Sequence, residues 1–205
     1  SKTYDANTNA LAGAITLSNL VSGETLNHSG TASVSSANAG SYTISNWSGS
    51  SIADNAGTAS KYTLPGGTHN FTVNQRPLVA TLARQYDGTT TSAGSTLSSF
   101  DALQGGETLT MTGSGTAASA NVANGIAMSS NGNLALVNGT GDVSNYSLNS
   151  TVINITQRIL NSSGSKTYDA NTNALAGAIT LSNLVSGETL NHSGTASVSS
   201  ANAGS

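Results

Sequence analysis

Cysteine is absent from this 205-residue sequence, and charged, aromatic and proline residues are scarce. Asp, Glu, Lys and Arg make up 7% of the chain, where about 25% is usual for soluble domains. Six Lys and Arg residues spread over the chain cannot form the basic face of a nucleic-acid-binding protein. Without cysteine there is no disulfide scaffold, and no run of about 18 apolar residues suggests a transmembrane helix. The net charge of −3 is too small for a charge-driven disordered tail.

The most abundant residues are small, polar and uncharged. The chain has 34 Ser, 27 Thr, 23 Asn and 23 Gly, which is more than half of its length. An ordinary cytosolic enzyme would carry more surface charge and more titratable groups. The composition therefore favours an all-β, extracellular protein whose solubility comes from hydroxyl and amide side chains.

The sequence repeats itself, and the repeat predicts its domain plan. Residues 1–41 recur without change as residues 165–205, and Tyr86-Asp87 marks a diverged copy halfway between them. The spacing predicts a β module at 1–83, a diverged β module at 84–165, and the first half of a third at 166–205, identical to 2–41. Half a small module would not bury a core, so we expect a window from a longer array.

Residue preferences and periodicity predict strands in each module. Thr, Val, Ile and Tyr favour pleated backbone, and dense Gly, Ser and Asn favour turns. Apolar residues alternate at Leu78, Ala80 and Leu82, and again at Phe71 and Val73. The fold class is therefore all-β: a tandem array of small modules of about 82 residues, sandwich or β-grasp-like, arranged as an elongated rod.

Turn signals place some of the strand ends. The turns at 22–24 and 105–107 should feed strands that begin at Leu26 and Leu109. Asn131-Gly132 predicts a hairpin turn across which 126–128 and 134–136 would pair. Around residues 11–15 a strand or irregular edge is favoured over a helix.

The Tyr-Asp pair recurs once in each module and is the main candidate motif. Its aspartate should accept backbone N–H groups two or three positions on, and its tyrosine should add bulk to a thin core. A ligand contact on each module is the functional alternative. The repeat motif consists of Tyr4, Asp5, Tyr86, Asp87, Gly88, Tyr168 and Asp169.

Three other aromatic residues are candidates for contact with a partner. We expect Tyr62 and Tyr146 to be core or corner residues, and the alternative is that each is a platform on which a sugar could stack. Trp47, the only tryptophan, precedes a Ser- and Gly-rich stretch with the composition of a loop, which makes it the best single candidate for a surface contact.

The sequence offers little for catalysis or for metal binding. His28, its copy His192 and His69 have no partner at metal-ligand spacing, and the scattered aspartates form no calcium-loop motif, although a single calcium between modules stays open. No serine has a nucleophile context with a plausible base. We therefore expect no enzyme activity, no cofactor and no metal site.

Several short motifs, taken in order, carry a family resemblance. They are Tyr86-Asp87-Gly88-Thr89-Thr90, Gly106-Glu107-Thr108-Leu109, Asn124-Gly125, the run from Gly141 to Leu148, and Ile155-Thr156. Their order and period of about 80 residues resemble the YDG/MBG-type repeats of large bacterial surface adhesins, including filamentous-haemagglutinin-like proteins exported by two-partner secretion. The first module departs from the pattern, since Ala6 and Lys61 replace the expected Gly and Asn.

The resemblance implies a role rather than a reaction. Such repeats look like the stalk of a secreted, cell-attached fibre that supports adhesion, cell–cell aggregation or a biofilm matrix. The absence of cysteine fits export in an unfolded state. The partners implied are adjacent modules of the same chain, with neighbouring fibres or an extracellular polysaccharide as further possibilities, and neither nucleic acid nor membrane insertion. A polysaccharide-binding repeat is the alternative function.

Overall fold

Strands dominate the structure. A computed structural model describes residues 1–204. Strands hold 47% of the chain, and the described part contains no helix of seven or more residues, so the all-β prediction is confirmed. Five 3₁₀ helices of three residues each occur within 1–204. Consequently, none of the helices in the described part is long enough to cross a membrane.

Residues 2–74, here called the first segment, form a five-stranded sheet. Its strands are β1 (Lys2–Thr3), β2 (Asn9–Leu11), β3 (Leu26–Val34), β4 (Gly40–Asp54) and β5 (Asn70–Asn74), with 3₁₀ helices at Ala12–Ala14 and Ala59–Lys61. The strand order is β1-β5-β4-β3-β2, and the β1–β5 pair is parallel.

Residues 76–156, the second segment, form a six-stranded sheet and a separate pair. The strands are β6 (Arg76–Gln85), β7 (Thr91–Ala93), β8 (Leu97–Phe100), β9 (Leu109–Thr112), β10 (Ser114–Ala117), β11 (Ala123–Ser130), β12 (Ala135–Asn138) and β13 (Tyr146–Thr156). Two 3₁₀ helices lie at Gly94–Thr96 and Val143–Asn145. The sheet order is β7-β10-β11-β13-β6-β8, and β9 pairs with β12.

Residues 158–204, the third segment, carry four short strands. These are β14 (Asn161–Gly164), β15 (Asn173–Leu175), β16 (Ile179–Ser182) and β17 (Thr195–Ser197), with a 3₁₀ helix at Ala176–Ala178. β14 pairs with β16 and β15 pairs with β17, both antiparallel.

The first and last strands of a segment lie side by side and parallel. β6 pairs with β13 over its whole length, and β1 pairs with β5. Gln75 alone separates β5 from β6. The boundary that the sequence placed between residues 83 and 84 falls inside β6, because that strand belongs to the same sheet as β13.

The predicted apolar alternation is present in the strands. Leu78, Ala80 and Leu82 of β6 are fully buried, and Phe71 and Val73 of β5 are also buried. The strands expected after the two turns begin at Leu26 and Leu109, as predicted. Residues 9–15 form the short edge strand β2 and a 3₁₀ turn, in agreement with the strand or irregular edge expected there.

The hairpin predicted at Asn131-Gly132 is wrong. β11 pairs with β10 and β13, and β12 pairs with β9, so the flanks of this turn do not pair with each other. Leu134 N–H donates to Asn131 O at 2.9 Å, so a local turn forms although its flanks do not pair. The flanking strands have other partners, and backbone pairing with those partners outweighs the local turn preference.

One core cluster runs across the boundary between the first two segments. It contains Tyr4, Phe71 and Val73 of the first segment together with Leu109 and Tyr146 of the second. A second cluster around Leu82, Ile153 and Ile155 lies within the second segment. Hence the first segment completes its core with side chains of the next one, as in arrays whose stability depends on neighbours.

Candidate functional site: the junction between segments

The centre of the first junction is Glu107, which accepts two tyrosine hydroxyls. Tyr4 of the first segment donates to its Oε1 at 2.6 Å, and Tyr146 of the second donates to its Oε2 at 2.5 Å. The two rings meet edge to face with centroids 5.4 Å apart. Both rings are buried, with 3% and 2% of their surface exposed. One carboxylate thus joins the Tyr-Asp motif of one segment to a tyrosine of the next.

Turns set the position of that carboxylate. The chain turns at 104–107, where Gly105 and Gly106 have positive φ and Glu107 N–H donates to Gln104 O at 2.8 Å. Gln104 N–H in turn donates to the Tyr146 hydroxyl at 3.1 Å. The glycines allow a left-handed backbone that other residues adopt at a cost. Strand β9 begins two residues later, so the turn holds the glutamate just before the start of that strand.

An arginine closes the same junction from the side. Arg76, the first residue of β6, donates through Nη1 to the backbone oxygen of Tyr4 at 3.1 Å and through Nε to that of Ala102 at 2.8 Å. The planar guanidinium can hold two acceptors in fixed geometry, which a lysine cannot do. Arg76 therefore orients the Tyr4 backbone relative to the second segment.

Asn145 completes the contact from the opposite side. Its side chain is 2% exposed; Oδ1 accepts the N–H of Ala39 at 2.7 Å, and Nδ2 donates to Asn38 Oδ1 at 3.2 Å. Gln75 donates to the backbone oxygen of Ser144 at 3.1 Å. The loop before β4 is thereby tied to the 3₁₀ helix before β13.

The second junction repeats the first. Tyr86 donates to Glu188, as Tyr4 does to Glu107. Arg158 donates through Nη1 to the backbone oxygen of Tyr86 at 3.3 Å and through Nε to that of Asn183 at 2.6 Å. Arginine and tyrosine are 72 positions apart at both junctions. Two independent sets of residues thus build the same contact.

The first segment contains the within-segment half of the same arrangement. Tyr62 donates to Glu24, and Val21 N–H donates to the Tyr62 hydroxyl at 3.1 Å. This matches Tyr146, Glu107 and Gln104 of the second segment. Glu24 and Glu107 therefore each accept a tyrosine of their own segment, and Glu107 and Glu188 each accept one from the preceding segment.

The junction changes the titration of its tyrosines. Burial first, and then the bond to the Glu107 carboxylate, raise the pKa of Tyr4 well above its ordinary value, and the same causes raise the pKa of Tyr146. The bond to Glu188 is the main cause of the raised pKa of Tyr86. The neutral hydroxyl is thus the form that the fold favours at these positions.

The aspartate of the Tyr-Asp motif holds a local turn. Asp5 Oδ1 accepts the N–H of Asn7 at 3.2 Å, and Asp87 Oδ1 accepts that of Thr89 at 2.9 Å. Lys2 bonds to Asp5 at 2.7 Å. Burial opposes ionisation of Asp5, but the bonds from Lys2 and Asn7 outweigh it and lower the pKa of Asp5.

Other copies of the turn have the same geometry. Asp169 accepts the N–H of Asn171 at 3.2 Å and bonds to Lys166 at 2.7 Å, and Arg84 pairs with Asp87. Ala6 and Ala170 take φ of 60° and 59° at the position where Gly88 has 76°. Alanine in place of glycine therefore leaves the turn intact.

The predicted surface contacts need correction. Tyr146 occupies the core position that was the first expectation for it, and the alternative of a ligand platform is excluded because its ring is buried against Tyr4. Trp47 lies within strand β4 and not on a loop; its ring is partly buried and lies 4.6 Å from that of His69 and 6.1 Å from that of His28. Tyr62 is partly buried and bonded to Glu24. Burial lowers the pKa of His28.

Sequence reasoning missed Glu107, Arg76 and Asn145 as junction residues. A usable signal was present, since Gln75-Arg76 recurs as Gln157-Arg158, and the glutamate recurs in the Gly-Glu-Thr-Leu motif. In a chain with 7% charged residues, a recurrent charge is informative. The described residues contain no group of three or more His, Cys, Asp or Glu side chains that could hold a metal ion.

Comparison with known proteins identifies the repeated unit. A family model described as YDG domain matches residues 1–70, 72–153 and 154–205. No curated protein and no solved structure gives a significant match to the chain.

Proposed function

Because this chain belongs to the YDG domain family, we propose that it is a structural segment of an extracellular bacterial adhesin. In this role its β modules form an elongated stalk or filament that supports cell-surface attachment, cell–cell aggregation or a biofilm matrix. It is secreted to the bacterial cell surface, its immediate partners are adjacent modules of the same chain, and it catalyses no reaction.

The observation that carries this proposal is the repeated junction. Tyr4, Glu107 and Arg76 at one boundary correspond to Tyr86, Glu188 and Arg158 at the next. A contact in which one face of a unit meets a different face of the next unit extends as an open array unless its rotation closes a ring. A stalk needs such a contact, repeated without change along the chain.

The chemistry of the junction also suits a load-bearing role. Tyr4 and Tyr146 are buried, and their hydroxyls share one carboxylate. Hydrogen bonds to a charged group stabilise by about 1.5–3 kcal/mol each, roughly twice the value for neutral pairs. Because these groups bond to one another, the junction is a structural contact rather than a ligand site.

Scattering from chains of increasing length tests the stalk. We would prepare one, two and three copies of residues 1–164 in tandem, each chain ending with residues 165–205, and measure the radius of gyration by small-angle X-ray scattering. From one copy to two the chain grows from 205 residues by 164, which is about 1.8-fold, and a stalk predicts a nearly proportional increase in the radius of gyration. A compact chain predicts only about a 1.25-fold increase, because its radius scales as roughly N^0.38; that result would exclude a stalk.

Location requires a separate measurement. Antibodies raised against the chain should label intact cells of the source bacterium, and external protease should abolish the label. Labelling only after the cells are lysed would contradict the assignment to the cell surface.

A further inference from the structure

Two histidines and the tryptophan of the first segment form a cluster, here called the imidazole cluster. The indole ring of Trp47, on β4, lies 4.6 Å from the imidazole of His69 and 6.1 Å from that of His28, measured between ring centroids. His28 lies on β3 opposite Ile52 of β4, and His69 comes immediately before β5. Two titratable rings are thus placed against one indole.

The imidazole nitrogens of the cluster are suited to the neutral form. Nε2 of His28 lies 2.7 Å from Ser50 Oγ, and a serine hydroxyl can donate to a neutral imidazole or accept from it. Nδ1 of His28 and Nε2 of His69 are buried and have no hydrogen-bond partner within residues 1–204. A protonated imidazole donates from both nitrogens, so it would need a further acceptor at each of these buried atoms.

No carboxylate within residues 1–204 is paired with a histidine. The acidic residues closest along the strands are Asp54, the last residue of β4, and Glu24, two residues before β3. Asp54 accepts the N–H of Ala59 at 2.7 Å, and Glu24 accepts the hydroxyl of Tyr62. Burial is the cause of the lowered pKa of His28. A positive charge on this ring would therefore be desolvated without compensation.

The other titratable groups beside His69 give no negative charge either. Tyr62 and the amino group of Ser1 line the same groove as His69 and Trp47. The Tyr62 hydroxyl is bonded to Glu24, and the Ser1 amino group donates to Ala14 O at 3.0 Å. A tyrosine is neutral and an amino group is neutral or positive between about pH 5 and pH 7.5, so neither stabilises an imidazolium.

The second segment has uncharged residues at both histidine positions. His28 is the third residue of β3, and Met111 is the third residue of β9. His69 corresponds to Thr151 at the offset of 82 residues that relates β5 to β13. Met111 and Thr151 are 4% and 3% exposed, so both are core positions in a segment of this fold. The first segment therefore carries titratable groups where the second has none.

We propose that the imidazole cluster makes the first segment acid-sensitive: protonation of His28 lowers the stability of this segment in mild acid, while the second segment, which contains no histidine, is unaffected. The inference concerns the segment itself and holds whether or not the chain forms a stalk. Within a stalk, segments that weaken in acid would be separated by one that does not.

The sign of the pH effect follows from proton binding. A histidine in the unfolded chain takes up a proton near pH 6.5, at about its ordinary pKa. Burial lowers the pKa of His28 in the folded chain, so below about pH 6.5 the unfolded state binds more protons and the free energy of unfolding falls. Carboxylates titrate mainly below about pH 5, so mild acid isolates the contribution of histidine.

Urea unfolding of the full chain at about pH 7.5 and about pH 5 tests the proposal. Trp47 is the only tryptophan, so its fluorescence reports the first segment, whereas circular dichroism reports the strands of all segments. We expect the fluorescence transition to move to a lower urea concentration in acid and to precede the transition in circular dichroism.

Variants of two histidines in identical local sequence assign the effect. His28→Met introduces the residue type that the second segment has at this position and should abolish the acid shift of the fluorescence transition. His192→Met is the matched control, because residues 188–197 repeat 24–33 and His192 is exposed; it should retain the full shift. His28→Gln keeps a neutral polar partner for Ser50 and should also abolish the shift, so the test does not depend on how the methionine variant folds.

Four outcomes would overturn the proposal. Equal fluorescence midpoints at the two pH values would show that the first segment is not acid-sensitive, and an undiminished shift in both His28 variants would assign the effect to other groups. Equal acid shifts by fluorescence and circular dichroism would show that acid acts on the whole chain. In an NMR titration of the unmodified chain the imidazole of His28 should protonate at a lower pH than that of His192, and the reverse order would exclude burial as the cause.

Discussion

Replacement of Tyr4 by Phe isolates the contact between the first two segments. The substitution removes the hydroxyl that donates to Glu107 Oε1 at 2.6 Å and retains the ring that packs against Tyr146. The carboxylate keeps its second donor, Tyr146, so no buried charge loses all its partners. Tyr168→Phe is a matched control, because the surrounding sequence is identical and this tyrosine is 62% exposed.

The geometry gives the expected size of the effect. A hydrogen bond to a charged group stabilises by about 1.5–3 kcal/mol, and partial exposure of Glu107 places Tyr4→Phe near the lower end, at about 1.5 kcal/mol. The control should change stability by less than about 0.5 kcal/mol, as is usual for surface substitutions. In a chain of this size, about 1.5 kcal/mol corresponds to a fall in Tm of roughly 3–6 °C.

Urea unfolding followed by circular dichroism measures both variants. The transition of Tyr4→Phe should move to a lower urea concentration with little change in slope, while Tyr168→Phe superimposes on the unmodified chain. If both substitutions cost the same free energy, the hydroxyl of Tyr4 contributes nothing as a junction contact, and the argument for a repeated junction fails.

Three further predictions use the same unfolding measurement. Glu107→Ala removes the acceptor of two tyrosine hydroxyls and should lower the free energy of unfolding by about 3 kcal/mol. This is roughly twice the effect of Glu24→Ala, which removes the acceptor of one hydroxyl. Equal effects would contradict a carboxylate shared by two tyrosines. Ala6→Gly should stabilise by about 0.5–1 kcal/mol, because alanine is strained at φ 60°, and a lower midpoint would contradict this. The pKa values of Tyr4 and Tyr146 are raised in the folded chain. Their contribution to the free energy of unfolding should therefore be complete below about pH 10 and be lost as the pH rises through the folded pKa values. Tyr4→Phe should reduce this alkaline loss of stability, and an unchanged pH profile would refute the reasoning.

The sequence was sufficient for the fold class, the repeat and many strand positions. Alternation at Leu78, Ala80 and Leu82 predicted a strand, because one face of a pleated strand must be buried. The local signal failed at Asn131-Gly132, where pairing with β9, β10 and β13 overrides the turn preference of two residues. Local sequence patterns indicate which secondary structure a segment favours, but they do not determine which distant strand it pairs with.

The sequence indicated only some of the residues of the candidate site. Tyr4 and Tyr86 stood out as repeats, but nothing in their own neighbourhood indicates that they bond to Glu107 and Glu188, which lie 103 and 102 residues away. For the same reason the sequence leaves a ligand platform open for Tyr146 beside the core position that it occupies in the structure. Contacts between segments depend on how sheets pack.

The two identical stretches, 1–41 and 165–205, separate local from tertiary control. The Lys–Asp–Asn turn, the alanine with positive φ and the 3₁₀ helix after β2 or β15 are the same in both, because their hydrogen bonds join residues close in sequence. β3 is nine residues long beside β4, whereas in the second copy only Thr195–Ser197 form a strand, and residues 190–194 pair with no strand of the described chain. Tyr4 is 3% exposed and Tyr168 is 62% exposed. Sequence thus determined the turns and the strand-forming residues, while strand length, burial and the junction were decided by partners distant in the chain, because backbone pairing and exclusion of water both require a second surface.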